Sequence, residues 1–223
     1  MGDAIAEVLP YAVGIAISPV PIIAAILMLL SPRARSTGVG FLVGWAVGIA
    51  VAVTVFTLLS SLIPKAASGS SQPVVGTIKL LLGAGLLLLA VRQWRSRPKP
   101  GQEASLPAWM GAIDSMTTLR GLALAFALAA VNPKNLLLAA AAGVSLGAAG
   151  LTAGATAGAI AVFTLIAALS VALPVVAYLV ASDRMRGPLQ RLRAWLVQNN
   201  TAVMAVLLLV IGVVLIRDGI QAF

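Results

Sequence analysis

The chain has no cysteine and no histidine. Disulfides, thiol redox chemistry and thiolate-held metals are therefore excluded, as are imidazole proton relays and imidazole-held metals. Acid is nearly as scarce, with Asp and Glu together only 6 of 223 residues. None of them falls in the middle of a long apolar run, since Glu7 and Asp114 lie near run ends. A divalent-cation carrier needs carboxylate, imidazole or thiolate ligands in its core, so neither a metal nor any other cofactor is expected. A carboxylate proton relay is unsupported for the same reason. Paired carboxylates, a nucleophile beside a base and a phosphate-cradling glycine loop are also missing, so enzyme chemistry is not expected. Met1 to Glu7 carries Asp3 and Glu7 but no Lys or Arg, unlike the basic start of a cleaved signal peptide. The first apolar run is expected to remain as a helix.

What is present is apolar surface. Hydrophobic residues make up 61% and charged residues 9% of the chain, and the mean hydropathy is +1.06, which is membrane composition. Six runs are long enough for a bilayer core of about 30 Å: 4–30, 38–63, 74–92, 117–142, 150–180 and 200–217. The expected fold class is an all-α integral membrane protein with six transmembrane helices. The fifth run, ~46 Å long if straight, exceeds what the bilayer needs and contains Pro174, so a tilt or break is expected there.

The net charge of +9 sits mostly in three loops. Arg33 and Arg35 follow the first run; Arg92, Arg95, Arg97, Lys99 and Arg120 flank the third loop; Arg184, Arg186, Arg191 and Arg193 precede the sixth run. Lys65 and Arg217 are nearly all that the opposite ends hold. Cations are retained on the cytoplasmic side, so both termini are expected outside. These charges read as topology determinants and anchors for anionic membrane lipids, with no nucleic-acid motif beside them. In the stretch 187–197, Leu189, Leu192, Trp195 and Leu196 recur at helical spacing, as in a helix lying at headgroup level for anchoring or for gating. Leu106, Trp109, Met110 and Ile113 make a weaker version, with Asp114 or Ser115 placed to cap the fourth helix.

Prolines punctuate two of the runs, in Ser18-Pro19-Val20-Pro21 and in Asn132-Pro133-Lys134-Asn135. Proline removes a backbone hydrogen bond and clashes with the preceding turn, so the first and fourth helices are expected to be broken. Laying Pro19 on Pro133 sets Gly40 on Gly154 and Gly44 on Gly158 without a gap. The chain then reads as a first three-helix repeat at 1–92, a cytoplasmic linker at 93–116 and a second three-helix repeat at 117–223. Three helices per repeat turn the second upside down, and broken helices paired between such repeats mark transport sites. Gly40, Gly44 and Gly48 share one helix face, as do Gly150, Gly154 and Gly158. Such rows allow close helix packing, either as static seams or as faces shaping a central cavity.

Lys134 would lie near the bilayer midplane, where a charged lysine costs roughly 2.5 to 3.5 kcal/mol. With Ser18, Asn132, Asn135 and the freed N–H groups of a half-helix, it suits a phosphate, sulfate or carboxylate. The alternative is that its ammonium bonds to carbonyls bared by Pro133 and Pro19 and repairs the break. Lys79, nearer a helix end, reads as a structural residue that snorkels to the interface. Arg33 and Arg35 read as topology charges that could also collect an anion at the cytoplasmic mouth.

Asn132-Pro133-Lys134 and the proline-rich break in the first helix resemble the lysine exporter (LysE) superfamily. More closely, Ser18 to Ile23, the stretch from Leu29 to Trp45 reading LLSPRARSTGVGFLVGW, and Val131 to Gly143 reading VNPKNLLLAAAAG resemble the glycopeptidolipid and sulfolipid addressing (GAP/Sap) proteins of actinobacteria. That resemblance implies two inverted three-helix units in the bacterial inner membrane and assistance in exporting a cell-envelope glycolipid. It makes Pro19, Pro21, Pro133, Lys134 and Asn135 signature positions. The expected function is alternating-access export or flipping of a lipid with an anionic or polar head. Export of a small anionic or zwitterionic solute such as an amino acid remains open. So does a non-transporting role in assembling a larger lipid exporter, and either a larger exporter or a second copy could be the partner.

Overall fold

The computed structural model describes residues 1–63, 72–97 and 108–223; Pro64, Lys65, Lys99 and Leu106 lie outside them. Seven α-helices are described: α1 Gly2–Ala16, α2 Pro19–Leu30, α3 Ala34–Ser60, α4 Pro73–Arg95, α5 Thr118–Ala130, α6 Pro133–Ala148 and α7 Ala153–Ile220, with a short 3₁₀ helix at Ala108–Ser115. The prolines explain the segmentation. Pro19 and Pro133 each occupy the first position of a new helix, where a missing N–H costs nothing and a fixed φ is already helical. The chain bends by 53° between α1 and α2 and by 62° between α5 and α6.

Side-chain neighbours show how these pairs run. Glu7, near the start of α1, accepts a bond from Ser145 near the end of α6. Gly121, near the start of α5, faces Met28 at the end of α2 and Thr37 at the start of α3. The two bent pairs therefore cross the bundle in opposite directions, one leaving the side that carries Met1 and the other arriving there. The opposite side carries Arg33 and Arg35 at the start of α3 and Arg92 and Arg95 at the end of α4.

At 68 residues, α7 would be about 100 Å long if straight, more than three bilayer cores. It does not run straight. Gly158 lies against Met1, while Gly219 lies against Leu80, and the Gln72 N–H bonds the Ala222 carbonyl. Both ends thus come to the Met1 side. The helical dihedrals fail at Ala181, with φ −142° and ψ 56°. Pro174, near which a tilt or a break was expected, stays inside the helix, seven residues short of Ala181. A proline ring tilts a helix, but the reversal needs a residue outside the helical basin. The stretch 187–197 is continuous with α7 rather than a separate short helix; Leu189 and Leu196 are buried, whereas Leu192 and Trp195 are exposed. α5 is capped by the Thr117 hydroxyl, which accepts from the Arg120 N–H, where Asp114 or Ser115 was expected; the side chains of Trp109 and Asp114 lie outside the described set.

Three helices are long and apolar enough to cross a membrane, or five if each bent pair is one span. Large apolar side chains stay uncovered along them, including Leu81, Leu88, Leu165, Leu173 and Val180, a belt that water would not tolerate at this scale. Inside, Tyr11, Phe41, Trp45 and Phe163 are fully buried.

The glycines set the packing. A Cβ at Gly40 would meet Thr118, one at Gly44 the Leu122 carbonyl, and one at Gly48 Ala129 and the Phe126 carbonyl. This row seats α3 directly on α5, the first half of a bent pair, through close backbone approach. The second row behaves otherwise. Gly150 sits outside the helix with φ +64°, and among the described residues Gly154 has no neighbour within 4 Å of an added Cβ and Gly158 meets only Met1. Its expected seam is supplied by Gly143 and Gly147 of α6 against Phe56, Thr57 and Ser60, and by Gly76 and Gly83 of α4 against Gly219 and Gly212 of α7.

Candidate functional site at the two helix breaks

The site grows from unpaired carbonyls. α1 would normally satisfy Gly14 C=O with the Ser18 N–H, but that N–H turns back to Ala16 C=O. The Ile17 carbonyl has no donor four residues on, because Pro21 lacks an N–H. Carbonyls left bare in an apolar interior must find partners. Lys134, in the first turn of α6, supplies them: its ammonium donates to Gly14 C=O at 2.7 Å, to Ile17 C=O at 3.3 Å and to the Ser18 hydroxyl. All three donors of the ammonium are used, and Lys134 is only 4% exposed. The charge lies on the negative end of the α1 dipole, which favours a cation.

The neighbours complete the junction. The Ser18 hydroxyl donates to Ile15 C=O at 2.7 Å. Asn132 caps α6, its side-chain oxygen accepting the Lys134 N–H at 3.0 Å. Asn135 reaches back across its own bend to α5, its side-chain amide donating to Leu128 C=O at 3.0 Å. The Asn135 side-chain oxygen is buried and has no partner among the described residues, an acceptor to which an incoming N–H or O–H could bind. Pro19 and Pro21 are buried beside the junction, whereas Pro133 is exposed. Ser18, Asn132, Lys134 and Asn135 are thus brought together. Arg33 and Arg35 are not: they are exposed at the start of α3, beyond the whole length of α2. Pro174, Gly150, Gly154 and Gly158 belong to the α6–α7 turn and α7, away from the junction.

A second polar group went unread in the sequence. Lys79 pairs with Glu7 at 2.8 Å, and the Ser145 hydroxyl donates to the same carboxylate oxygen at 2.7 Å. Arg217 pairs with Asp218 at 2.8 Å, and the Tyr11 hydroxyl approaches that carboxylate at 3.5 Å. Lys79 is therefore a buried ion-pair partner rather than a lysine snorkelling to water. One signal was available: Glu7, Tyr11, Gly14 and Ser18 follow the spacing of a single helix face. Along that face, Gly14 separates the two polar groups, because Ile211 and Leu138 press onto it where a Cβ would be. No group of three or more metal-ligating side chains occurs among the described residues.

Bent helix pairs passing each other in opposite directions, an apolar belt and a buried cation joining the breaks define a polytopic helical membrane protein with a polar centre. No curated protein and no solved structure matches the chain. A family does, over residues 8–221, and the chain belongs to it: the family described as Sap, sulfolipid-1-addressing protein.

Proposed function

We propose that this protein is a six-pass transporter of the bacterial cytoplasmic membrane, with both termini outside, that assists export or flipping of a cell-envelope lipid with an anionic or polar head. The observation that carries the reading is the Lys134 ammonium, buried and bonded across both helix breaks. In this proposal the two bent pairs belong to inverted three-helix repeats, and α7 counts as two passes that meet at Ala181. Support comes from the opposed directions of the bent pairs, from the α7 ends that share one side, and from the cations on the other side, which the positive-inside rule makes cytoplasmic. A family described by the addressing of a sulfolipid fits an anionic head.

The mechanism is an exchange of partners. A sulfate, phosphate or carboxylate offers Lys134 charged oxygens in place of the Gly14 and Ile17 carbonyls, a stronger bond for an ammonium. Releasing those carbonyls unlatches α1 from α6, and the bent pairs can then shift on the glycine seam between α3 and α5. Asn135 and Asn132 bind head-group hydroxyls or oxygens beside the ammonium.

The test uses purified protein in vesicles with a labelled anionic glycolipid. Lys134→Gln keeps donors for the carbonyls but removes the charge, so lipid movement is expected to fall at least about tenfold, a loss of ~1.4 kcal/mol, while thermal stability changes little. Wild-type movement by Lys134→Gln removes the ammonium from the mechanism. Movement of amino acids but not lipid supports the small-solute exporter, and movement of neither supports the assembly factor.

A further inference from the structure

Two recesses open on the Met1 side, and one wall divides them. The first is a cavity of about 700 Å³ bordered by Glu7, Lys79, Ser145, Arg217, Asp218 and Phe223. The second is a groove of about 860 Å³ between α3 and α7, bordered by apolar and small side chains such as Leu58, Ala157, Ile160 and Leu165. The wall is the end of α6 with the turn that follows. Ser145, Ala148 and Ala149 face the cavity, whereas Leu146, Gly147 and Leu151 face the groove.

The chemistry of the cavity is selective. Its cations are already matched to its anions, Lys79 to Glu7 and Arg217 to Asp218, so among the described residues the side chains that line it are neutral as a whole. An anion entering here would meet two carboxylates, and the cations it could reach are already neutralised by them. Hydroxyl groups face no such penalty: they donate to carboxylate and accept from ammonium or guanidinium. The Lys79 and Ser145 bonds both end on Glu7 Oε1, and among the described residues the other oxygen is left for an incoming hydroxyl. Gln72 and Gln221 add amide donors and acceptors, and Phe223 adds an aromatic ring.

We propose that the two recesses form one site for an amphiphile on the Met1 side, with an uncharged, hydroxyl-rich head in the cavity and an acyl chain in the groove. The amphiphile straddles the last turn of α6. This inference rests on the exporter reading and deepens it: Lys134 handles charge at the breaks, whereas this site holds the sugar-like part near the exit. Ile211 and Leu138, packed on Gly14, separate the two.

The test places the full chain in phosphatidylcholine nanodiscs with a lipid bearing an uncharged disaccharide head and a diazirine in its acyl chain. Photolabelling is expected on peptides containing Leu151 and Ile160. Unlabelled glycolipid should compete at least about tenfold better than phosphatidylglycerol of the same chains, and Ala149→Trp, which fills the cavity from an exposed position, should lower labelling about tenfold. Leu173→Trp, on the lipid-facing surface, should leave labelling unchanged. Equal competition by phosphatidylglycerol, or full labelling of Ala149→Trp, overturns the site and leaves the groove with ordinary bilayer lipid. The vesicle assay separates this failure from failure of the exporter reading. Lipid movement that Lys134→Gln abolishes and Ala149→Trp does not strikes out the site alone. Selective labelling without lipid movement by the wild type strikes out the exporter alone.

Discussion

Lys134 has no counterpart in the first half of the chain, where the register that aligns Pro19 with Pro133 puts Val20 in its place. One ammonium therefore serves a break belonging to the other half, and the asymmetry explains why its donors run to Gly14, Ile17 and Ser18 rather than to its own helix. Lys134→Met should behave differently from Lys134→Gln. It leaves the buried Gly14 carbonyl and the part-buried Ile17 carbonyl without donors, at about 1 to 3 kcal/mol for the buried one, and a lowered thermal midpoint in detergent should accompany its loss of transport. Lys79 gives a second prediction at this scale. Lys79→Met removes the partner of Glu7, whose side chain is 39% exposed, so water recovers part of the loss and destabilisation of about 2 kcal/mol is expected. Glu7→Gln in the same background should recover most of it, read as a double-mutant cycle of unfolding midpoints. No recovery would show that the pair is not coupled.

Among the elements, glycine and proline decide more than the apolar residues do. α3 can approach α5 because Gly44 offers no Cβ where the Leu122 carbonyl lies. Gly44→Ala is expected to cost about 1 to 3 kcal/mol by forcing the helices apart, and to slow lipid movement if the seam shifts during the cycle. Gly154→Ala, with no described residue within 4 Å of the added Cβ, should leave both measurements unchanged. Equal effects of the two changes would refute the assignment of the seam to the first row. The two rows are alike in sequence, and only the neighbours distinguish them. Prolines divide in the same way: Pro19 and Pro133 start helices, whereas Pro174 and Pro188 are carried inside α7. A polar residue before the proline, Ser18 or Asn132, accompanies the true breaks.

For the molecule as a whole, the proposed sidedness can be read by chemical labelling. Because the chain has no cysteine, single cysteines can be introduced without clearing a background. Ser36→Cys, at the exposed start of α3, should react with an impermeant maleimide only after the membrane is opened. Gln221→Cys, at the exposed end of α7, should react in intact cells. The reverse pattern would invert the topology and place the cavity of the amphiphile site in the cytoplasm.

Composition and run length made the all-helical membrane character legible, because a bilayer accepts backbone only when its hydrogen bonds close within the segment. The two breaks were legible too, because proline cannot donate. Lys134 was legible as an exceptional residue, since charge inside a long apolar run is costly whatever it touches. Its partners were not, because Gly14 and Ile17 act through carbonyls that every residue possesses. Nor could sequence show that Glu7, Lys79, Ser145 and Asp218, drawn from four distant helices, would share one cavity. Local chemistry determined where the chain must break; which groups meet across the breaks was decided by the packing of helices far apart in sequence, through glycines whose importance depends entirely on what lies opposite.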